Sequence, residues 1–337
     1  MEAIWKLRSK PTAQSGVHHD KDNTLREYER LINSPQKVRF EYVAEGRANV
    51  VFSIWELKGP TVSKGRFEGA LLRVPKDTPG VTPCDYKTLN DFHENEIQDR
   101  VGHQNLVPQA LVHISAEIAD ILHRQRNKND KSVIRAGYGM LIQDMSESPG
   151  YLAIEFKPKW LAQSPIAPSD AKRCRTCARE AFRNSQRQVK GQAVLVPVCP
   201  LGLVHENPAI IMDTIKRLTP NWAELDQKRL FDAFENSGIL KKLRELQTKG
   251  DPGRALLDDP SDPNLGLAMT LRDCSCYIRM PVELTRAVEI KLADVDKKNW
   301  EEKQTYWQDS HQNLVDNGWY TCEENVATPI VTDCVLS

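Results

Sequence analysis

The sequence "YVAEGRANVV", residues 42–51, contains one glycine between two β-rich runs. "VRFEYVA" leads into Gly46 and "NVVFSIWEL" follows it, so this stretch predicts a strand, a tight turn and a second strand. An ordinary hairpin turn more often carries Asn-Gly or Asp-Gly. Gly46 beside Arg47 suits a turn whose backbone N–H groups and cation approach a polyanion. A purely structural hairpin is the alternative, because a single glycine is a weak signal.

The composition is typical of a large globular protein without a strong electrostatic preference. The 337 residues are enough for two domains with a substantial core, and 46 basic residues balance 46 acidic ones. This balance favours neither nucleic acid nor a membrane surface as a partner. The most apolar run, "QAVLVPVCPLGLV", is too short to span a bilayer. We expect a monomer that binds neither nucleic acid nor membranes.

The cysteines indicate a reducing compartment. Eight of them are scattered along the chain, and the first residues lack the apolar segment of a signal peptide. We therefore expect free thiols in an intracellular protein, located in the nucleus, the cytoplasm or both.

Composition and periodicity divide the chain into three parts. Residues 1–34 are polar and predict a mobile or loosely docked tail with a short helix at "TLREYERLI". Residues 35–147 predict a small β-rich lobe, and residues 148–337 a larger α/β lobe that begins after the turn-forming "ESPG". In the second lobe we expect strands at "YLAIEFKPKW", "LAMTLRDCSCYIRM" and "RAVEIKLADVD", and a last helix that stops near Gly318. The predicted fold class is α+β.

The strand "YLAIEFKPKW" has a charged face. Alternation places Glu155, Lys157 and Lys159 together, opposite an apolar face. A solvated sheet edge is the ordinary explanation for these lysines, and the proline between them also fits an edge. Two ammonium groups on one face equally suit the oxygens of a phosphate.

Two aspartates lie beside apolar β runs, Asp273 in "RDCS" and Asp294 in "LADVDKK". Strands disfavour aspartate, so each is either a turn or capping acid or a functional group. If the two carboxylates converge, they can hold Mg2+ and orient or deprotonate a hydroxyl, as phosphoryl transfer requires.

The segment "KRCRTCAREAFR" predicts a basic helix. Lys172, Arg175, Arg179 and Arg183 are three or four residues apart and form one stripe, which is ordinarily a solvated face. The same segment contains a C-x-x-C pair, but no second pair follows it at zinc spacing. We interpret these two thiols as partly buried structural residues.

The order of these features favours a kinase over a passive binding protein. A glycine turn between strands comes first, and a basic strand, two acids and clustered cations follow it. There is no G-x-S-x-G, no Walker lysine motif and no H-R-D or D-F-G. The order therefore indicates an ATP-binding lobe followed by a lobe with metal-binding acids and a polyphosphate pocket.

These residues also carry a family resemblance. The series "AEGRANVV", "LLRVPK", "EFKPK", "RCRTCAREAFR", "VCPLGL", "RDCS" and "LADVDKKNWEEKQTYW" resembles the inositol-pentakisphosphate 2-kinase family in its fungal form, over roughly residues 37–320. The resemblance implies a two-lobed fold distantly related to protein kinases. It also implies the use of ATP and Mg2+ to phosphorylate the 2-hydroxyl of inositol 1,3,4,5,6-pentakisphosphate, which yields inositol hexakisphosphate, phytate.

The resemblance implies roles for individual residues. Asp273 is the expected base for the 2-hydroxyl and, with Asp294, a ligand of the metal, and Lys157 lies near the transferred phosphate. The nucleotide is expected at Gly46, Arg47, Asn49, Arg73 and Asp144. The phosphates of the inositol are expected at Lys159, Arg183, Lys298, Lys303 and Tyr306.

The chain departs from the family pattern at several positions. Glu302 occupies the register where a basic residue is expected, and Lys303 reaches it only with a shift of one residue. Arg179 stands where relatives carry histidine. The cysteine and histidine zinc ligands of the plant members have no clear counterparts, so we expect no structural zinc. The alternative function is a catalytically inactive inositol-phosphate or phosphoinositide-binding protein of the same fold.

Overall fold

The computed structural model describes residues 18–46, 48–79, 85–126, 131–259, 261–326 and 330–336. The chain divides into two units, Met1–Ser146 and Glu147–Ser337. Each unit combines helices with an antiparallel sheet, which confirms the α+β fold class.

The first unit is built on a six-stranded sheet in the order β1-β2-β4-β6-β5, with β3 beside β2. All its pairs are antiparallel. The strand β2 alternates as its sequence predicts, and Val50, Phe52 and Ile54 are fully buried in the core of this unit. The strands are β1 (Val38–Glu45), β2 (Asn49–Lys58), β3 (Thr61–Ser63), β4 (Ala70–Pro75), β5 (Gln109–Ile114) and β6 (Gly137–Gln143). The helices are α1 (His18–Ile32), α2 (Tyr86–Phe92), α3 (Gln98–Val101) and α4 (Ala116–Gln125), with a π turn between α2 and α3.

The hairpin predicted around Gly46 is present. Glu45 pairs with Val50 across β1 and β2, and the Gly46 N–H donates to the Asn49 carbonyl at 2.9 Å. Arg47 lies outside the described residues.

The segment predicted as a mobile or loosely docked tail is packed where the structure describes it. Tyr28 and Ile32 of α1 belong to the core of the first unit. The Tyr28 hydroxyl donates to the Arg66 carbonyl at 3.1 Å, and its ring meets Phe67 edge-on. The short helix predicted here is therefore present, and it is docked on the first unit through its apolar face. Residues 1–17 lie outside the described residues.

The second unit has a three-stranded antiparallel sheet in the order β7-β8-β9. Its strands are β7 (Tyr151–Phe156), β8 (Ser275–Pro281) and β9 (Glu289–Ala293). Its helices are α5 (Arg175–Val189), α6 (Pro208–Leu218), α7 (Glu224–Ser237), α8 (Ile239–Lys249), α9 (Ala255–Asp258), α10 (Pro263–Leu271) and α11 (Trp300–Asp316). Gly238, at φ 61°, separates α7 from α8, and Gly318, at φ 68°, follows the last helix. Both glycine breaks match the sequence prediction.

The prediction of one long strand through "LAMTLRDCSCYIRM" is wrong in its first half. Residues 263–271 form α10, which begins at Pro263 after Asp262 caps it by accepting from the Asn264 N–H at 2.8 Å. Leu265, Ala268 and Leu271 are fully buried, and an apolar run this short does not distinguish a helix from a strand. The strand β8 begins only at Ser275, so Asp273 lies in the turn before it.

The strand β7 ends earlier than predicted. Its last residue is Phe156, so Lys157 and Lys159 follow the strand and do not share one of its faces. The strand β7 lies at an edge of the described sheet, because it is the first strand of the three.

A tryptophan with two guanidinium neighbours lies in the core of the second unit. The ring of Trp160 lies 4.7 Å from the guanidinium carbon of Arg175 and 3.5 Å from that of Arg272. Arg272 also pairs with Asp251 at 2.7 Å, and both side chains are almost completely buried. Because Arg175 is only 4% exposed, the ordinary explanation of the basic stripe as a solvated face does not apply to this residue.

Among the residues that the structure describes, no helix combines the length and apolar character needed to cross a membrane.

Candidate functional site

Two acids and three lysines meet in the second unit. Lys157 Nζ donates to the Asp294 Oδ2 atom at 3.1 Å and to the Asp273 carbonyl oxygen at 2.6 Å. Lys298 Nζ donates to Asp273 Oδ2 at 2.8 Å, and Lys159 Nζ donates to Asp273 Oδ1 at 3.4 Å. The structure thus brings together five of the residues that the sequence marked as catalytic, metal-binding or substrate-binding.

The register of the small sheet explains why these residues meet. Phe156, at the end of β7, pairs with Cys276 near the start of β8, and Ser275 pairs with Ala293 at the end of β9. The end of β7, the start of β8 and the end of β9 therefore share one edge of the sheet. The lysines follow β7, Asp273 precedes β8 and Asp294 follows β9, so the chain delivers all of them to that edge.

Two residues of this cluster have a left-handed backbone. Lys159 has φ 56° and Asp294 has φ 55°. Aspartate tolerates this conformation better than most residues, whereas for lysine it is a strained state of order 1–3 kcal/mol. The turn at Lys159 lets its side chain reach the same carboxylate that Lys157 approaches. The two lysines converge through this turn and not through strand alternation.

A buried glutamine supports the turn. Gln247 of α8 is 1% exposed, and its Nε2 donates to the Lys159 carbonyl at 2.9 Å and to the Leu271 carbonyl at 3.2 Å. Its Oε1 accepts from the Leu161 N–H at 2.9 Å. The amide thereby satisfies backbone groups on both sides of the site, one beside Lys159 and one shortly before Asp273. It fixes the strained turn relative to the acid.

The cluster is electrically unbalanced toward positive charge, with three ammonium groups around two carboxylates. Burial alone would raise the pKa of Asp273, but the hydrogen bond and charge of Lys298, with Lys157 and Lys159, lower it to about 2. Burial would lower the pKa of Lys157, but the two aspartates outweigh it and raise that pKa. These side chains are 23% to 48% exposed, so they can meet a ligand from solvent. The site is suited to a densely charged anion.

A second basic group stands on α5 and α11. Arg179 donates a hydrogen bond to the Tyr306 hydroxyl, and its guanidinium lies 5.8 Å from the centre of the Tyr306 ring. Its charge, with burial and Lys157, contributes to lowering the pKa of Lys159, so the two basic groups are neighbours. Tyr306 is 52% exposed. The Tyr306 hydroxyl is therefore accessible from solvent beside the Arg179 guanidinium.

Two predicted substrate residues lie apart from the five-residue cluster. Arg183 forms an ion pair with Glu180 one turn earlier in α5 and is half-exposed. Lys303 is half-buried in the first turn of α11. Among the described residues, neither is bonded to Asp273 or Asp294.

In the first unit, three side chains form a second candidate site. Arg73 of β4 lies opposite Val51 of β2, with its guanidinium carbon 5.6 Å from the Tyr86 ring. The Asn49 amide is oriented with its oxygen toward the guanidinium. Asn49 Oδ1 then accepts from Arg73 Nη2 at 2.5 Å and from Arg73 Nε at 3.2 Å, and Asn49 Nδ2 donates to the Tyr86 hydroxyl. The guanidinium is thus held in place beside the glycine turn.

The turn itself leaves open space at Gly46. A Cβ added there would have no atom within 4 Å, and the residue does not have a left-handed φ. The packing of the described residues therefore does not require glycine at this position. Close approach of a ligand to the backbone would explain why residue 46 is glycine.

Asp144, the remaining predicted nucleotide residue, follows β6. Its N–H donates to the Gly69 carbonyl at 2.9 Å, and its Oδ1 accepts from the Ser146 N–H at 2.9 Å and the Ser146 hydroxyl at 2.6 Å. It closes a local turn at the end of this unit.

A cavity of about 320 Å³ in the first unit does not coincide with either site. Its walls include Glu27, Arg30, Lys37, Glu56 and Arg66, and they contain none of the predicted nucleotide residues. Geometry and charge, and not cavity size, therefore mark the candidate sites.

Comparison with known proteins matches the sequence to a family of kinases. The family model for inositol-pentakisphosphate 2-kinase matches residues 42–264 and 232–313, a range that contains every predicted site residue. The chain belongs to the inositol-pentakisphosphate 2-kinase family. It is similar to the inositol-pentakisphosphate 2-kinase of Yarrowia lipolytica (strain CLIB 122 / E 150), with 31% identity over 171 residues. This alignment covers 50% of the chain and 53% of the relative, so the match spans about half the length of each.

Sequence reasoning missed three features. Gln247 carried no signal, since one glutamine on an amphipathic helix is ordinarily a surface residue. Cys199 and Cys334 were not connected with the C-x-x-C pair, yet the structure places all four sulfur atoms within 4.8 Å of one another. No short motif could indicate this meeting, because 135 residues separate Cys199 from Cys334.

Proposed function

We propose that the chain is an ATP- and Mg2+-dependent kinase that phosphorylates the 2-hydroxyl of inositol 1,3,4,5,6-pentakisphosphate to give inositol hexakisphosphate. The observation that carries the proposal is Asp273, one carboxylate held by three lysines in a chain of this kinase family. We further propose that residues 35–147 and 148–337 act as the two lobes of a protein-kinase-like fold. The first lobe would bind ATP, and the second would bind the inositol phosphate.

Asp273 is the proposed base. Its carboxylate takes the proton of the 2-hydroxyl while the hydroxyl oxygen bonds to the γ-phosphorus and the bond to the ADP oxygen breaks. A pKa of about 2 makes the free carboxylate a weak base. Phosphates that engage Lys159 and Lys298 neutralise the charges that lower this pKa, so substrate binding raises its basicity.

We assign the lysines to different phosphates. Lys157 bonds both Asp273 and Asp294, so we assign it to the transferred phosphate. Lys159 and Lys298 bind phosphates of the inositol, with Arg179 and Tyr306 next to Lys159. Arg183 and Lys303 are proposed to contact phosphates farther from the acid.

Mg2+ fits the two aspartates. Asp273 and Asp294 are both about half exposed and are joined through Lys157, and carboxylate oxygens are the ligands that this hard cation prefers. When bound there, Mg2+ neutralises charge on the transferring phosphate.

For the nucleotide we propose Gly46, Arg47, Asn49, Arg73 and Asp144 of the first unit. The support is the open turn at Gly46 and the guanidinium of Arg73, which Asn49 and Tyr86 hold in position. We also propose that the protein acts as an intracellular monomer that binds neither nucleic acid nor membranes, as its balanced charge suggests.

The test is ADP release with ATP and Mg2+ across a panel of inositol phosphates, with products separated by chromatography and phosphate positions assigned by NMR. We expect the 1,3,4,5,6-pentakisphosphate to become the hexakisphosphate. In Asp273→Asn, turnover should fall by orders of magnitude, while calorimetric binding of the pentakisphosphate should not weaken, since one negative charge has left a site with three lysines.

Asp232→Asn is the matched control, because the described partner of Asp232 is Lys228, in a surface ion pair at 3.7 Å. It should retain full turnover. Undiminished turnover in Asp273→Asn would refute the assignment of the base. Tight binding by the wild type without any ADP would instead support the inactive inositol-phosphate-binding alternative.

A further inference from the structure

A short segment that follows α5 carries consecutive apolar side chains on the surface of the second unit. Residues 191–196, "GQAVLV", are exposed without interruption. Gly191, at φ 63°, turns the chain at the end of the helix. Val194, Leu195 and Val196 are 41%, 56% and 61% exposed. Scattered apolar residues are common on protein surfaces, whereas three consecutive ones mark a surface that a partner can cover.

A buried asparagine holds this segment extended. Asn184 of α5 is fully buried, its Nδ2 donates to the Leu195 carbonyl at 2.6 Å, and its Oδ1 accepts from the Leu195 N–H at 3.2 Å. The Arg187 guanidinium also donates to Asn184 Oδ1 at 2.7 Å, which determines which amide atom is the oxygen. The N–H and C=O of one residue point the same way in an extended backbone, as they do in an antiparallel pair. The Asn184 amide therefore imitates a neighbouring strand at Leu195.

The same two bonds fix the direction of the adjacent backbone groups. The C=O and the N–H of a trans peptide point in opposite directions. Because the Leu195 N–H and C=O both face Asn184, the Val194 C=O and the Val196 N–H face away from it. Within the described part of the chain, neither of these two groups has a hydrogen-bond partner. An acceptor and a donor at this spacing are what the edge of a sheet offers to another strand.

The surroundings of the segment are basic. Residues 181–205 contain Arg183, Arg187 and Lys190 but no Asp or Glu. Arg183 and Arg187 pair with Glu180, and Lys190 forms no ion pair with a described residue. Three cations therefore face one carboxylate near this edge. Negative charge on a partner would complement the excess of positive charge.

We propose that residues 193–196 are a docking edge to which an extended, acidic segment of another protein adds as a β-strand. The partner's backbone bonds the Val194 C=O and the Val196 N–H, and its apolar side chains pack against those of the two valines, which share one face. Its acidic residues lie next to Lys190 and the basic end of α5. Pro197 lacks an N–H and limits the pairing to this short edge. This inference goes beyond the proposed kinase reaction and does not depend on it.

The test measures binding of a fluorescent synthetic peptide, "DEVTVTVDE", to the full chain by fluorescence anisotropy. We expect saturable binding to the wild type, weakened by about tenfold or more in Val196→Pro, which removes the N–H donor. Val196→Thr is the matched control, because it keeps the N–H and a β-branched side chain, and it should bind nearly as tightly as the wild type. The lysine-flanked peptide "KKVTVTVKK" should bind about tenfold more weakly or less than that.

Measurements on the wild type cover the case in which Val196→Pro fails to fold. The same acidic peptide with all its internal amides N-methylated keeps its side chains but cannot donate backbone hydrogen bonds, and it should not bind. Addition of the unmodified peptide should slow hydrogen exchange of the Val196 N–H, observed by NMR with isotope-labelled valine and assigned with Val196→Thr. Equal binding of the N-methylated peptide, or no binding of the unmodified one below about 1 mM, would overturn the proposal.

Two other occupants of the edge are distinguished by separate measurements. Cosedimentation of the wild type with phosphatidylserine vesicles that Val194→Ser abolishes would assign the apolar residues to a lipid surface. A dimer in analytical ultracentrifugation that Val196→Pro dissociates would assign the edge to a second copy of the chain. Either result would overturn the proposal of an acidic partner strand. None of these measurements requires kinase activity.

Discussion

Gln247 offers the sharpest test of how the candidate site is assembled. Gln247→Leu keeps the size of the side chain but removes three hydrogen bonds, to the Lys159 carbonyl, the Leu271 carbonyl and the Leu161 N–H. At roughly 1 kcal/mol for each lost hydrogen bond, the free energy of unfolding should fall by about 3 kcal/mol. Denaturant unfolding of the purified variant measures this loss.

The same substitution should also affect catalysis. The amide ties the strained turn at Lys159 to the turn that carries Asp273, so its loss lets the lysine and the base move apart. A displacement of about 1 Å between reacting groups can reduce the rate on the order of 10²-fold, and we expect kcat/KM for the inositol phosphate to fall by about that factor. KM for ATP should change little, because the proposed nucleotide residues are in the other unit.

Gln227→Leu is the matched control. Gln227 is also buried, and its Nε2 donates to the Thr219 carbonyl at 2.8 Å, away from the acids. It should lose about 1 kcal/mol of stability, as expected for one hydrogen bond, with unchanged kcat/KM. If Gln247→Leu behaves as this control does in both measurements, then Gln247 does not position the site.

Three further perturbations test other parts of the molecule. Gly46→Ala should raise KM for ATP several-fold without lowering stability, whereas Gly253→Ala, whose added Cβ also meets nothing within 4 Å, should change neither; an unaltered KM would remove the turn from the nucleotide site. The pKa of Asp273 is lowered from 3.8 to about 2, so its ionised form stabilises the folded protein. The difference in free energy of unfolding between wild type and Asp273→Asn should be constant above about pH 5 and should decrease as the pH falls toward 2. A decrease that begins near neutral pH would contradict this. Asp251→Ala leaves the buried Arg272 guanidinium without its carboxylate and should lower the free energy of unfolding by about 3–5 kcal/mol in denaturant titrations; a loss below about 1 kcal/mol would show that solvent reaches this pair.

Local sequence signals predicted the elements whose limits are set locally. The glycine between two β-branched runs predicted the β1–β2 hairpin, and Gly238 and Gly318 marked helix boundaries. The run "LAMTL" belongs to a segment predicted as a strand, but a helix that is buried on all sides has the same apolar pattern. Burial in the tertiary structure determines that this segment is helical, and the pattern of its residue types does not reveal that burial.

The site shows the same limit. The residue types at Lys157, Asp273 and Asp294 indicated an anion and metal site, but alternation along β7 was the wrong reason for expecting the lysines to meet. The left-handed backbone of Lys159 brings the two lysines together instead. Lysine has no conformational preference that would predict this φ. The meeting of Cys199 with Cys334 depends on the whole path of the chain between them. Pairings across such separations are set by topology and not by spacing.

The position of Trp160 makes its fluorescence a measure of changes in the second unit. Its indole touches Arg175, at the start of the helix that carries Arg179, and Arg272, the residue before Asp273. Indole emission responds to nearby charge, so any shift of either guanidinium changes the fluorescence of this ring. The chain has seven tryptophans, and the difference between its emission and that of Trp160→Phe isolates the contribution of this one. The protein thereby contains its own optical reporter, with which the arrival of an inositol phosphate could be followed in real time without a label.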